Sequence, residues 1–288
     1  MKTLYYCMGG GLGHITRFTA CCRTFAIRPF IITGCEQVRT GKLAVQAEET
    51  MLPDAADTVS KASFTAWVAG MIKRCRPDKL IIDAFPGGIL GELCGLAQLQ
   101  EIECEYLARI LDLTAYEKRL AGCLPQFQKI YRLERLGENQ EKWLAALNSP
   151  IEDLTLFYGL SDVPTAKLPD NFWLIIHSGS DEELRQLWLF ARQTAELAGV
   201  TPAFVIVSPG PAPDFLPPEA IHFDVYPADA LLARACRVFS AAGFNIMQQM
   251  RLSSAKHYVM PMSRALDDQF LRHQFWREEI LNQGGGQR

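Results

Sequence analysis

The sequence predicts an α/β protein built from two doubly wound parallel-sheet domains. Three observations predict it. Short continuous apolar runs alternate with amphipathic stretches. That alternation starts afresh after a polar, proline-containing stretch at 161–171. And a glycine cluster follows the first apolar run, where a buried strand would turn into a helix.

The elements follow in order. TLYYCM (3–8) is apolar and continuous, as a strand covered on both faces should be, and HITRFTACCRTFAI (14–27) has helical spacing. PFIIT (29–33) is a second strand, FTAWVAGMIKRC (64–75) a helix with basic residues in its last turn, and KLIIDAF (79–85) a third strand. A helix is expected over GILGELCGLAQL (88–99), then a strand over ECEYLARIL (103–111). Residues 112–127 show no period. KIYRLERL (129–136) alternates like a strand, and NQEKWLAALN (139–148) reads as a short helix. SDVPTAKLPDN (161–171) reads as the linker, which puts the domains at 1–165 and 166–288. The second half repeats the pattern: FWLIIHSG (172–179), a long helix from Asp181 ending at Gly199, then strands at 203–207, 220–226, 237–241 and 256–262.

Composition excludes several classes. A net charge of −3 gives no general attraction to nucleic acid. No run of eighteen apolar residues is present, so no transmembrane helix is expected, while peripheral membrane contact stays open. The N-terminus lacks a secretory signal pattern. Nine cysteines without a Cys-x-x-Cys pair fit reduced thiols in a cytoplasmic protein.

The chemistry concentrates at GGGLGH (9–14), where four of five residues are glycine before His14. A strand, a bare-backbone turn and a helix N-terminus form an anion site. A tight turn without ligand needs fewer glycines. The phosphate loop of nucleotide triphosphatases requires Gly-Lys-Ser/Thr, and here Gly13 precedes His14 and Ile15. The dinucleotide pattern has its last glycine where this chain has His14; Glu36, beyond the second strand, keeps a dehydrogenase open. An imidazole at the first turn of a helix stays neutral beside the positive dipole and can take a proton from a hydroxyl, or can simply tie down the loop. Asp83 ends a strand at the edge where such sheets bind ligands. It can orient His14, hold an acceptor hydroxyl, or cap the next helix.

GGGLGHITR resembles the N-terminal loop of GT-B glycosyltransferases, such as the peptidoglycan N-acetylglucosaminyl transferase and the UDP-glycosyltransferases. KLIIDAFPGGILGEL (79–93) is similar to a segment of predicted bacterial glycosyltransferases. The resemblance implies two Rossmann-like domains facing across a cleft, with the acceptor mostly on the first and a nucleotide-sugar, UDP-linked, on the second. It implies His14 and Asp83 as the catalytic pair, with Gly10, Gly11, Gly13, Arg17, Gly87 and Gly88 contacting acceptor or phosphate.

CRVFSAAGFNIMQQM (236–250) resembles the GT-B donor loop, which makes Gly243, Phe244 and Asn245 diphosphate contacts. Ser178, Gly179 and Ser180 match the loop after the first strand of the donor domain. Asp268 and Gln269 match a pair that holds sugar hydroxyls, although Asp267 and Asp268 could equally cap the last helix. No metal and no cofactor is implied; the nucleotide-sugar is a substrate.

Three departures stand out. Gln249 occupies the position of a ribose-binding Glu, Ala241 that of a histidine in plant-type members, and the long return helix is barely expected. Restoring the carboxylate by Gln249→Glu should tighten nucleotide binding roughly fivefold. These readings make the chain a metal-independent, inverting glycosyltransferase with an unknown acceptor. The alternatives are a nucleotide-sugar epimerase or hydrolase of the same fold, or a non-catalytic binding protein.

Overall fold

The structure is a computed structural model that describes residues 1–9, 11–159 and 168–284. It divides into two compact units. One holds Met1–Tyr158 with Ala265–Asp268, the other Gly159–Arg264 with Gln269–Arg288. The 165/166 boundary falls outside the described residues.

The first unit carries a seven-stranded, wholly parallel sheet. Its strands are β1 (Thr3–Cys7), β2 (Phe30–Thr33), β3 (Thr50–Met51), β4 (Lys79–Asp83), β5 (Glu103–Ala108), β6 (Phe127–Arg132) and β7 (Ile151–Asp153). They lie in the order β3-β2-β1-β4-β5-β6-β7. Tyr5 sits opposite Ile31 on one side and Ile81 on the other. Every residue of β1 is buried, which is why its sequence runs apolar without alternation. Helices α1 (Leu12–Phe25), α2 (Glu36–Arg39), α3 (Lys61–Cys75), α4 (Leu113–Glu117) and α5 (Glu138–Ala145) fill the connections. A reciprocal pair of serines, Ser60 and Ser63, caps α3.

The second unit repeats the plan with β8 (Phe172–Ile176), β9 (Ala203–Val207), β10 (Ile221–Phe223), β11 (Arg237–Ala241) and β12 (His257–Met260), in the parallel order β10-β9-β8-β11-β12. Period-2 alternation sends Phe172 and Leu174 to one core and Trp173 and Ile175 to the other. Helix α6 (Asp181–Ala198) lays Leu184, Leu187, Trp188, Ala191 and Ala195 against Trp173 and Phe239. Short α7 (Asp229–Arg234) and α8 (Phe244–Gln249) and the longer α9 (Gln269–Gly284) complete the unit.

Three elements differ from expectation. No helix forms over 88–96; the chain turns there with Gly88, Gly91 and Gly95 at positive φ, and only a 3₁₀ turn, Ala97–Glu101, follows. The Glu92 carboxylate accepts the backbone N–H of Leu90 at 2.7 Å and of Ile89 at 3.2 Å, so it holds the turn closed from inside. Strands β3 and β7, of two and three residues, are too short to leave a period. The last helix, α9, is 16 residues long and groups with the second unit.

His257 opens β12 with Nε2 2.8 Å from the Ser240 hydroxyl and Nδ1 buried without a partner, and burial lowers its pKa to about 4. The unfolded chain therefore binds more protons between pH 4 and 6.5. Stability is expected to fall as pH drops through that window, by up to about 3 kcal/mol. Urea midpoints at pH 7 and 4.5 check it: His257→Asn should show a smaller loss than the native chain.

Candidate functional site

In the first unit the strand order reverses between β1 and β4, the place where open α/β sheets bind ligands. The glycine turn follows β1, and Asp83 is the last residue of β4. Gly11 is the N-cap of α1, with no side-chain cap and no acid in the first turn. His14 then lies in that turn, and Arg17 one turn later on the same face.

The three side chains meet at Asp83. His14 Nδ1 is 2.7 Å from Oδ2; Arg17 Nη2 donates to Oδ2 at 2.7 Å, and Arg17 Nε donates to Oδ1. Asp83 is fully buried and Arg17 is 3% exposed. Gly9 explains why the loop starts as it does: a Cβ there would lie 2.2 Å from both Cδ2 and Nε2 of His14. The glycine makes room for the ring.

The charges fix the protons. Burial would raise the Asp83 pKa, but the Arg17 guanidinium and the His14 hydrogen bond outweigh it and hold the carboxyl well below the usual range. Burial lowers the pKa of His14; the Asp83 hydrogen bond opposes this, and Arg17 and Arg109 add to the lowering. The imidazole is therefore neutral. The Asp83 carboxylate can only accept, so its 2.7 Å contact requires the proton on Nδ1, and the longer 3.2 Å approach of the Arg17 Nη2 donor to the same nitrogen is proximity. Nε2 is left with the lone pair.

In the second unit, a related group stands at the end of β8. His177 Nε2 is 2.8 Å from Glu183 Oε2, and Arg264 binds both Glu183 oxygens, Nη2 to Oε2 at 3.0 Å. Gly179 passes beneath, where a Cβ would lie 2.2 Å from Glu183 Oε2. Burial lowers the His177 pKa; burial would raise that of Glu183, but Arg264 and His177 bring it to about 2. Ser178, Gly179 and Ser180 are exposed, and Ser180 caps α6 by accepting from Glu183 N. Gly243 is the N-cap of α8, Phe244 is buried and Asn245 half-buried. Gln249 Nε2 donates to Asp229 Oδ1 at 2.6 Å.

No protein-family model matches the sequence, and no curated protein matches it. Solved structures do match. Spinosyn rhamnosyltransferase SpnG complexed with spinosyn aglycone aligns over 99% of this chain and 92% of its own, at 16% identity and TM-score 0.54. The glycosyltransferase SnogD from Streptomyces nogalater aligns over 91% and 82%, at 18% and 0.51. UDP-N-acetylglucosamine 2-epimerase from Rickettsia bellii aligns over 93% and 80%, at 11% and 0.57. The chain has the GT-B fold. At these identities the likeness is one of fold, and its two parallel sheets are the Rossmann-like halves of a GT-B protein.

Measured against GT-B expectations, some residues are where the sequence put them and others serve the chain itself. His14, Asp83 and Arg17 come together. Gly10 lies outside the described residues; Gly11 is exposed at the start of α1, with Gly13 in its first turn. Gly87 and Gly88 are corrected. Both are buried, and a Cβ on Gly87 would meet Cys94 Sγ and Leu120 Cδ2 at 2.7 Å, one on Gly88 the Glu92 carboxylate at 2.4–2.6 Å. These glycines admit their own neighbours, not a ligand. Asp83 caps no helix, because none follows it. Gln269 is 4% exposed and its carbonyl accepts Met262 N–H at 3.0 Å, while Asp267 pairs with Arg109 at 2.5 Å. The Gln249→Glu expectation also reverses, since a glutamate there would face Asp229.

Two features escaped the sequence reading. Glu92 is fully buried, accepts from Tyr6 Oη, and is raised by burial to about 7 despite its backbone donors. Its only signal was a lone acid in an apolar stretch. Cys7 joins His14 and Asp83 with ligand atoms within 4.8 Å, the arrangement of a small metal site. Arg17 already takes both Asp83 oxygens, and burial, aided by the charge of Asp83, pushes the Cys7 thiol up. The donor set fits an ion pair better than a cation.

Arg17→Met would leave Asp83 charged and unpaired. Losing one partner of a buried pair costs about 3–5 kcal/mol, so the urea midpoint should fall by that equivalent, while the double variant Arg17→Met/Asp83→Leu recovers much of it.

Proposed function

We propose that the chain transfers a sugar from a nucleotide-sugar to an acceptor hydroxyl, without a metal and with inversion at the anomeric carbon. The observation that carries this is the neutral His14 with Nδ1–H on Asp83 and its lone pair on Nε2. Such a group is a general base. The acceptor oxygen attacks the anomeric carbon, its proton passes to His14 Nε2, and the bond from that carbon to the diphosphate oxygen breaks. The nucleoside diphosphate leaves.

In this reading the second unit takes the donor. Ser178, Gly179 and Ser180 bring an exposed, small-residue backbone to the end of β8. Gly243, Phe244 and Asn245 begin α8 beside it in the β8–β11 pair, where backbone amides can meet the diphosphate. Gln249 and Asp229 together supply a carboxylate and an amide carbonyl for ribose hydroxyls. Proteins of similar fold support the donor class: one solved structure is a UDP co-structure of S. aureus MnaA, another is SpnG complexed with thymidine diphosphate.

His14→Ala should lower transfer by roughly 10²–10⁴-fold, the worth of a positioned base, with nucleotide affinity unchanged by calorimetry. Full activity would contradict the base assignment. Product analysis with UDP-, dTDP- and GDP-sugars, with and without acceptor, tests the class itself: turnover without acceptor would make the chain an epimerase or hydrolase.

Gln249→Glu is a second test. It should not tighten nucleotide binding and should cost about 1–3 kcal/mol of stability, because Asp229 loses its amide donor. Thermal denaturation with and without UDP reads both effects.

A further inference from the structure

Two ion pairs mark the carboxyl edge of β4 and β5. The first is Asp83 with Arg17, in contact with His14 itself. The second is Arg109 with Asp267, Nη1 to Oδ1 at 2.5 Å. Asp267 is 158 residues further along the chain, yet it belongs to the short segment Ala265–Asp268 that groups with the first unit.

The sheet explains where Arg109 stands. β5 pairs with β4 so that Leu107 lies opposite Asp83, and Arg109 follows two residues later at the same edge. Its backbone is fixed: its carbonyl accepts the Gln140 amide at 2.8 Å, and the Gln140 carbonyl accepts Leu111 N–H at 3.1 Å. Its side chain is buried, with the guanidinium carbon 5.7 Å from the centre of the Phe85 ring. The His14 ring is 5.8 Å from the same ring, centre to centre. Phe85 therefore packs against both the imidazole and the guanidinium.

Segment 265–268 docks on this wall. Leu266 is buried with Ala84, Phe85, Leu111 and Tyr116, and its carbonyl accepts Asp112 N–H at 3.2 Å. With Leu266 held there, Asp267 meets Arg109 and is itself largely covered. Among the described residues, the groups that face the imidazole are Asp83 from β4, Arg17 from α1, Arg109 beyond β5, and Cys7 from β1, whose thiol burial keeps neutral. Glu134, which accepts Ile110 N–H at 2.8 Å, is a further acid near the end of β5. Charges in a buried site are weakly screened. A guanidinium deprived of its carboxylate would oppose any positive charge gathering on the ring.

We propose that Asp267 is a positioning residue for the transfer: acting through Arg109, it balances the charge around His14 so that the ring can take up the acceptor's proton. The proposal rests on the transfer reading for its effect on rate, and on the ion-pair geometry for its effect on the ring. A neutral base becomes cationic as it works, and Arg17 and Arg109 both resist that change. Asp83 offsets the first and Asp267 the second. Removing the Asp267 carboxylate leaves Arg109 to lower the His14 pKa, whereas removing the guanidinium leaves Asp267 to raise it. The two partners of one ion pair thus give shifts of opposite sign, which a purely structural bond does not.

The test follows His14 in the full chain by long-range ¹H–¹⁵N NMR from pH 8 to 4, alongside the acid limb of the transfer rate. Asp267→Asn should move the His14 midpoint down and Arg109→Gln should move it up, each by about half a pH unit or more, at the low end of what a nearby charge produces. Asp267→Glu and the double variant Arg109→Gln/Asp267→Asn should both titrate close to the native chain. The acid limb should follow the midpoint in each protein. Near-UV circular dichroism checks folding, and if Arg109→Gln does not fold, the comparison of Asn with Glu at 267 decides. Unmoved midpoints, shifts of the same sign in the two single variants, or a shift in Asp267→Glu as large as that in Asp267→Asn would overturn the proposal, whether or not the chain transfers sugar. Midpoints that shift as expected in a chain that transfers from no nucleotide-sugar would instead contradict the transfer reading and leave the charge balance standing.

Discussion

A single carboxylate governs the chemistry of the first unit. Asp83 ends β4 with no exposed surface, and an isolated charge there would be prohibitively costly. Arg17 makes it tolerable by binding both oxygens from α1. This pairing ties the carboxyl end of β4 to the helix that follows β1. His14 takes its orientation from the same carboxylate.

The same pairing determines what kind of histidine results. A carboxylate beside an imidazole usually raises its pKa and makes a stronger base. Here burial is the largest influence and lowers the pKa, Asp83 opposes it, and Arg17 and Arg109 add smaller lowering contributions. Asp83 therefore acts by orientation: it fixes the tautomer and aims the ring. Protonation of His14 would leave a net positive charge in the interior, so the resting state is the unprotonated one a base requires. The second unit contains a looser version of the arrangement. His177, Glu183 and Arg264 repeat the residue types over Gly179, but Glu183 is 22% exposed, so that cluster braces a loop at much lower electrostatic stakes.

Much of this was legible in the sequence because backbone and burial demands leave direct traces. Continuous apolar runs located the long parallel strands, since both faces are covered. The four glycines before His14 located the turn, and the acid ending β4 located its partner. What could not be read depended on tertiary partners. The segment 88–96 has helix-forming residues, but Glu92 bonds the backbone locally and the glycines accept positive φ, so propensity lost to a buried carboxylate. Gly87 and Gly88 looked like ligand-facing glycines because a close approach by Cys94 or Glu92 leaves the same trace as one by a phosphate. Gln249 looked like a lost ribose contact, since only the structure shows Asp229, 20 residues earlier, supplying a carboxylate beside it.

The state of the His14 ring tests the account at its root. Long-range ¹H–¹⁵N NMR of the labelled chain, titrated from pH 8 to 5, reports tautomer and charge for each imidazole, with His14→Gln assigning the signal. The account predicts a neutral ring protonated on Nδ1 at pH 7, titrating below the ordinary histidine value of about 6.5. A ring protonated on Nε2, or one already cationic at pH 7, would contradict it.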